Sequence, residues 1–148
     1  MIPSTEILYR VATLMATTSP LGEGTPVQII LIKAPFTPSP DLLLTAVVEA
    51  DFDGYLQTKA TNGDKLVSAD PENGDARIDL QPAAADRFWV VTGNTNLPQT
   101  IYGYAVIHTA TASLLGSELF PSPVTLTASG QSIFLPRAGF RVKSSWIS

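Results

Sequence analysis

An all-β fold, an antiparallel β-sandwich of jelly-roll-like kind preceded by a short amphipathic helix, is what this chain predicts, and three observations carry the prediction. Short apolar or alternating runs recur at even spacing. Asn-Gly pairs and prolines punctuate them. β-branched and aromatic residues concentrate inside the runs, where a pleated and partly buried surface favours them. About nine or ten short strands follow from that count, which suits a sandwich or related barrel.

The first element is the helix. Ser4 and Thr5 offer capping oxygens ahead of Ile7, Leu8, Val11, Leu14 and Met15, which recur at three- and four-residue steps over about 5–15. The two prolines and two glycines of Ser19–Pro26 end that pattern. Val27–Ile32 (VQIILI) is apolar on both faces, as a buried strand is. Three prolines in KAPFTPSPD make a stiff connection that cannot be a central strand. Leu42–Ala50 (LLLTAVVEA) reads as the next strand, although a run of that length also suits a buried helix.

Hairpins are expected in the middle of the chain. Asn62-Gly63 lies between YLQTKA and KLVS, and the pair supplies the positive φ angles of a tight turn. Asn73-Gly74 repeats the device before Ala76, Ile78 and Leu80, which alternate with Arg77 and Asp79 as in a half-exposed strand. Strands then follow at Arg87–Gly93, Ile101–His108, Leu114–Phe120, Val124–Ala128, Ile133–Leu135 and Phe140–Lys143. The chain reads as one domain, with residues 1–18 a helix or arm, 27–144 the β core and 145–148 a tail. A length of 148 residues is enough to bury a core without covalent staples.

Composition narrows the function. There is no cysteine, so disulfides, thiolate metal sites and cysteine nucleophiles are excluded. The opening MIPSTEILYR has neither the basic start nor the long apolar run of a secretion signal, and no run reaches the length of a membrane span. Net charge is −4 and the nine basic residues are scattered apart from Arg137, Arg141 and Lys143, so no nucleic-acid partner and no membrane partner is expected. Nine of the thirteen acids fall between Glu49 and Asp86. Only 15% of residues are charged, against the usual quarter, which is little solubilising charge for a free monomer. A chain of this composition is expected to bury outer surface against copies of itself or another partner.

No catalytic or cofactor-binding residue is selected by any motif. Asp51 and Asp53 open like a calcium loop, but glycine comes at the fourth position instead of the sixth and Asn62 stands where the bidentate glutamate belongs. A looser cation site would use Asp51, Asp53 and Asp64. The plainer reading is a strand end with its aspartates in water and Gly54 permitting a turn or bulge. His108, the single histidine, lacks a glycine-flanked elbow serine to serve and reads as a packed or interfacial imidazole. Phe88, Trp89, Tyr102, Tyr104 and Trp146 would form a binding platform if exposed, yet most read as core because their strands are apolar on both faces. Trp146, in KSSWIS past the last strand, is either an anchor into a neighbouring subunit or packed on its own domain.

Four blocks carry a resemblance: Phe36–Pro38 within Phe-Thr-Pro-x-Pro, Glu49–Tyr55 as Glu-Ala-x-Phe-x-Gly-Tyr, Thr100–Tyr104 with its Tyr-Gly-Tyr, and Val124–Gly130 within Pro-x-x-Leu-Thr-x-x-Gly. Together and in this order they resemble small structural proteins of the virions of tailed bacteriophages. The resemblance spans most of the chain and implies a virion structural protein, assembled in the host cytoplasm, with no catalytic motif to carry over. Its variable residue at the position of Asp53 suits turn geometry better than a metal cage. The resulting expectation is a non-enzymatic capsid decoration or cement protein that binds itself and a major capsid or other virion protein. Its expected contacts are Ile7, Leu8 and Val11 on the helix and Trp146 near the end. Two other readings stand beside it: a tail- or fibre-associated module that binds a receptor or glycan, and a small hydrolase using two carboxylates.

Overall fold

A computed structural model describes residues 27–39, 42–56, 59–61, 65–70, 75–80, 84–108, 112–136 and 138–142. The expected N-terminal helix, with Ile7, Leu8 and Val11, lies outside these residues, as do Asp64, the two Asn-Gly turns and the tail with Trp146. Among the described residues the fold is all-β, with nine strands: β1 (Val27–Ile32), β2 (Lys59–Thr61), β3 (Lys65–Asp70), β4 (Asp75–Leu80), β5 (Phe88–Val90), β6 (Gln99–His108), β7 (Ser113–Leu126), β8 (Ser132–Phe134) and β9 (Ala138–Val142). They form a four-stranded sheet ordered β2-β1-β6-β7, a three-stranded sheet β3-β4-β9 and a ribbon β5-β8. Every strand pair is antiparallel. Among the described residues no helix is long and apolar enough to cross a membrane.

β1 and β6 hold the centre because both of their faces are apolar. Val27, Ile29 and Leu31 of β1 join Ile101, Tyr104 and Val106 of β6 on one face, where Trp89, Val91, Ile133 and Leu135 cover them from the β5–β8 side. On the other face Ile30, Ile32, Ala105 and Ile107 are covered by Phe36, Leu44, Val47 and Leu114. Each fully buried aliphatic side chain here stabilises the fold by about 1.5–3 kcal/mol of transfer free energy. Gly103 marks the closest approach inside the sheet, since a Cβ there would run into the Glu118 carbonyl of β7 and lie 3.0 Å from the Phe36 ring.

The structure corrects three sequence expectations. Leu42–Ala50 is not a strand. It forms a 3₁₀ turn at Leu44–Ala46 and meets β1 only at the end, through an Ile32↔Glu49 bridge and the bonds Lys33 N to Val48 O (2.8 Å) and Ala50 N to Leu31 O (2.9 Å). Residues three apart eclipse in a 3₁₀ turn, so Leu44 and Val47 fall together onto the Ile30–Ile32 face, and covering that face outweighs strand propensity.

The second correction concerns β2, which pairs with β1 and not with β3, so the hairpin expected around Asn62-Gly63 does not form. β3 and β4, the strands on either side of Asn73-Gly74, do pair antiparallel, with Asp70 opposite Asp75. A buried apolar strand offers β2 more than a local turn can, and the chain passes from one sheet to another after Thr61.

The third is that Leu114–Phe120 and Val124–Ala128 belong to a single strand, β7, of 14 residues. Pro121 and Pro123 are accommodated because β7 is the outer strand of its sheet and its register with β6 shifts there, Leu119 facing Gly103 while Val124 faces Ile101. Prolines are tolerated at an edge and at a bulge, where no ladder donor is lost.

Candidate functional site

The acidic stretch around Asp51 is an excursion from the sheet edge. Two residues of β1 lie between Ile29 and Ile32, while nine lie between Glu49 and Lys59 on the chain facing them, so there are seven more residues than the ladder needs between the two pairing points. The gap left in the ladder is filled by the excursion itself: the Leu31 amide donates to Tyr55 Oη (3.2 Å), which donates in turn to Glu49 Oε1 (2.8 Å). Burial first, and the Glu49 carboxylate second, push the Tyr55 phenol up from its ordinary value. Gly54 turns the loop at φ +90°, where a Cβ would strike the Val90 carbonyl.

Asp51 and Asp53 fasten this loop to residues 92–99. Asp51 Oδ2 pairs with Lys33 Nζ (2.6 Å) and Oδ1 accepts from Gln99 Nε2 (2.7 Å), while Gln99 Oε1 accepts the Asp51 amide (3.1 Å). The Lys33 ammonium beside it holds the Asp51 carboxyl below its ordinary range, and Gln99 adds to that against the cost of desolvation. Asp53 Oδ2 accepts the Thr95 amide (3.0 Å) and its carbonyl accepts the Thr92 amide (2.9 Å). The two aspartates thus act as braces, and among the described residues no group of three or more His, Cys, Asp and Glu could hold a metal ion. His108 ends β6 half-buried, opposite Val27 and Ser113.

The larger feature is an apolar cleft of about 430 Å³ between β7 and β8. Tyr104, Leu119, Phe120, Pro121, Ile133 and Phe134 form most of its wall, with Glu118, Ser122 and Ser132 supplying polar atoms. The Tyr104 and Phe120 rings stand 6.3 Å apart. Tyr104 Oη is fixed from behind, accepting the Gly139 amide (2.9 Å) and donating to the Gly139 carbonyl, which ties β9 to the floor of the cleft.

Apolar surface continues from the rim across the outside of the β5–β8 ribbon. Trp89 and Ile133 point inward and are buried, while the outward positions are Ser132 and the apolar Phe88, Val90 and Phe134, the last three exposed by 41%, 37% and 48%. Arg87 places its guanidinium 5.2 Å from the Phe134 ring centre and donates from Nη1 to the Leu135 (3.1 Å) and Pro136 (2.7 Å) carbonyls, which fixes the ring at the rim. A sheet face turned to water normally alternates to polar residues. Here three of the four outward positions are large and apolar, and with Leu119 (43%) and Val124 (36%) they present exposed apolar surface of the kind that marks contact sites.

Of the aromatic residues singled out in the sequence, Trp89 and Tyr104 are core, Tyr102 is half-buried and Phe88 is exposed. Sequence reasoning missed Leu119, Val124 and Phe134. The available signal was the pair of prolines at 121 and 123, which mark β7 as an edge strand beside them. Ile7, Leu8, Val11 and Trp146 are not among the residues the structure brings together, since they lie outside the described residues. No family model, no curated protein and no solved structure matches this chain.

Proposed function

We propose that the chain is a non-enzymatic structural protein of a tailed-phage virion, a capsid decoration or cement protein that works as a homo-oligomer on the head shell. The observation that carries the reading is the apolar cleft and the exposed Phe88, Val90 and Phe134 beside it, on a chain with little charge to keep a free monomer apart. Rigid β-domains would bridge neighbouring capsid subunits, bury this surface and stabilise the assembled shell by mass action. Ile7, Leu8, Val11 and Trp146 are the further contacts of this reading. It also takes the β2-β1-β6-β7 sheet with the β5–β8 ribbon over one face as a sandwich of jelly-roll-like kind.

The test is mass spectrometry and immunogold labelling of purified particles of the phage that encodes the chain. Many copies distributed over the head support the reading. Label confined to the tail tip replaces it with receptor or glycan binding, and absence from the particle overturns both.

A further inference from the structure

We infer that the cleft between β7 and β8 is the socket for Trp146 of a neighbouring copy of this chain. The inference rests on the homo-oligomer reading above and names the contact that would build the oligomer.

The walls select the kind of occupant. Pro121 and Pro123 remove two backbone donors from the stretch of β7 that lines the cleft, so an incoming strand finds no continuous ladder there. Recognition has to come through a side chain. The wall is mainly aromatic and aliphatic, with Tyr104, Phe120 and Phe134 around Leu119 and Ile133, and its polar atoms include acceptors in Glu118, Ser122 and Ser132. A large ring carrying a single N–H matches that chemistry, because its body is apolar and its one donor needs an acceptor. Aromatic anchors in desolvated pockets are also where interface energy concentrates.

The chain supplies such a ring just past its last described strand. The described residues end at Val142, and Trp146 follows in the sequence after Lys143-Ser144-Ser145. Reaching the cleft of its own copy is hindered by β9: Pro136 is part of the wall, and the extended run Ala138–Val142 carries the chain about 13 Å onward at the usual strand rise. Only three residues separate Val142 from Trp146, so a reversal there would use them up and leave Trp146 within about 7 Å of Val142, far short of retracing that distance. The cleft of a neighbour carries no such constraint. A contact of this kind is heterologous, with socket on one copy and anchor on the next, and it closes into a ring when the rotation per copy allows.

The absence of cysteine makes the experiment clean. Ser122→Cys, on the cleft wall, and Ser145→Cys, beside the anchor, are made in separate full-length chains, mixed in equal amounts and oxidised. A covalent heterodimer is expected, formed at least tenfold more than with Leu43→Cys, an exposed site that is not part of the cleft in place of Ser122→Cys. Adding Trp146→Ala to the Ser145→Cys chain is expected to reduce the product at least tenfold. No heterodimer, a heterodimer indifferent to Trp146→Ala, or preferential closure within a chain carrying both cysteines overturns the inference. Sedimentation of the unsubstituted chain separates the two levels: an oligomer without the cross-link removes the socket and keeps the homo-oligomer, whereas a monomer at every concentration removes both.

Discussion

Phe88 and Phe134 stand directly opposite each other across the β5–β8 ribbon, their ring centroids 6.5 Å apart, and both turn away from the core. A cross-strand aromatic pair contributes about 0.2–1 kcal/mol to a fold. That is little return for leaving two large rings in water, and it points to a use outside the folded chain. Phe134→Ser should therefore cost less than about 1 kcal/mol of stability and, under the proposed decoration role, remove most of the association with particles. Denaturant unfolding and co-sedimentation with particles lacking the protein would check the two halves separately.

Tyr104→Phe keeps the ring in the floor of the cleft and deletes the hydroxyl that both accepts from and donates to Gly139. Leaving those buried backbone groups without their partner should cost about 1–3 kcal/mol. Hydrogen exchange at the Gly139 amide should accelerate, and an unchanged rate would show that β9 is held by other contacts.

Gly103→Ala places a methyl group against the backbone carbonyl of Glu118, which cannot move aside as a flexible side chain would. Overpacking of this kind costs about 1–3 kcal/mol. The change should show as a lowered melting temperature together with a disturbed β6–β7 pairing in amide exchange, because the clash lies between those two strands.

The pH dependence has two limbs. Asp51 titrates below its ordinary 3.8 in the folded chain, so the stabilisation it gives is present above that value and is lost as pH falls through the folded value. Tyr55 titrates above its ordinary 10.0, so its contribution is present below pH 10 and is lost as pH rises beyond it, where the unfolded chain releases a proton that the folded chain retains. Asp51→Asn should flatten the acid limb of a stability–pH profile and Tyr55→Phe the alkaline one. Tyr55→Phe should also lower stability by about 1–3 kcal/mol at neutral pH, since it strips the Leu31 amide of its acceptor.

The strand pattern was legible where a segment's own side chains decide its state. Val27–Ile32 and Ile101–His108 are apolar on both faces because both faces are covered, and β-branched residues in such runs have little alternative to a central strand. It was not legible where distant partners decide. The apolar count of Leu42–Ala50 matches a strand, but the Ile30–Ile32 face needed a cover and a 3₁₀ turn delivers Leu44 and Val47 to it. Lys59–Thr61 obeyed β1 and not the neighbouring Asn-Gly turn. The cleft was harder still: Tyr104, Leu119 and Phe134 come from three strands, and nothing local tells that Ile133 faces inward while Phe134 stands at a rim. The braces at Asp51 and Asp53 were readable as turn geometry, though their partners Lys33, Gln99 and Thr95 were not.

The excursion at residues 50–58 has a practical side for anyone wishing to graft a peptide onto this molecule. Its two ends are pinned to the same strand, Glu49 against Ile32 and Lys59 against Ile29, so the length between them is free of the register that governs the rest of the sheet. Doubling the length of a flexible loop adds only about 0.6 kcal/mol of closure entropy. A foreign sequence placed after Leu56, which is 55% exposed and follows the Tyr55 plug, would lengthen the outer part of the loop and leave the braces and the plug intact. If the chain decorates a shell as proposed, the same position, repeated in every copy, would make a regular display surface.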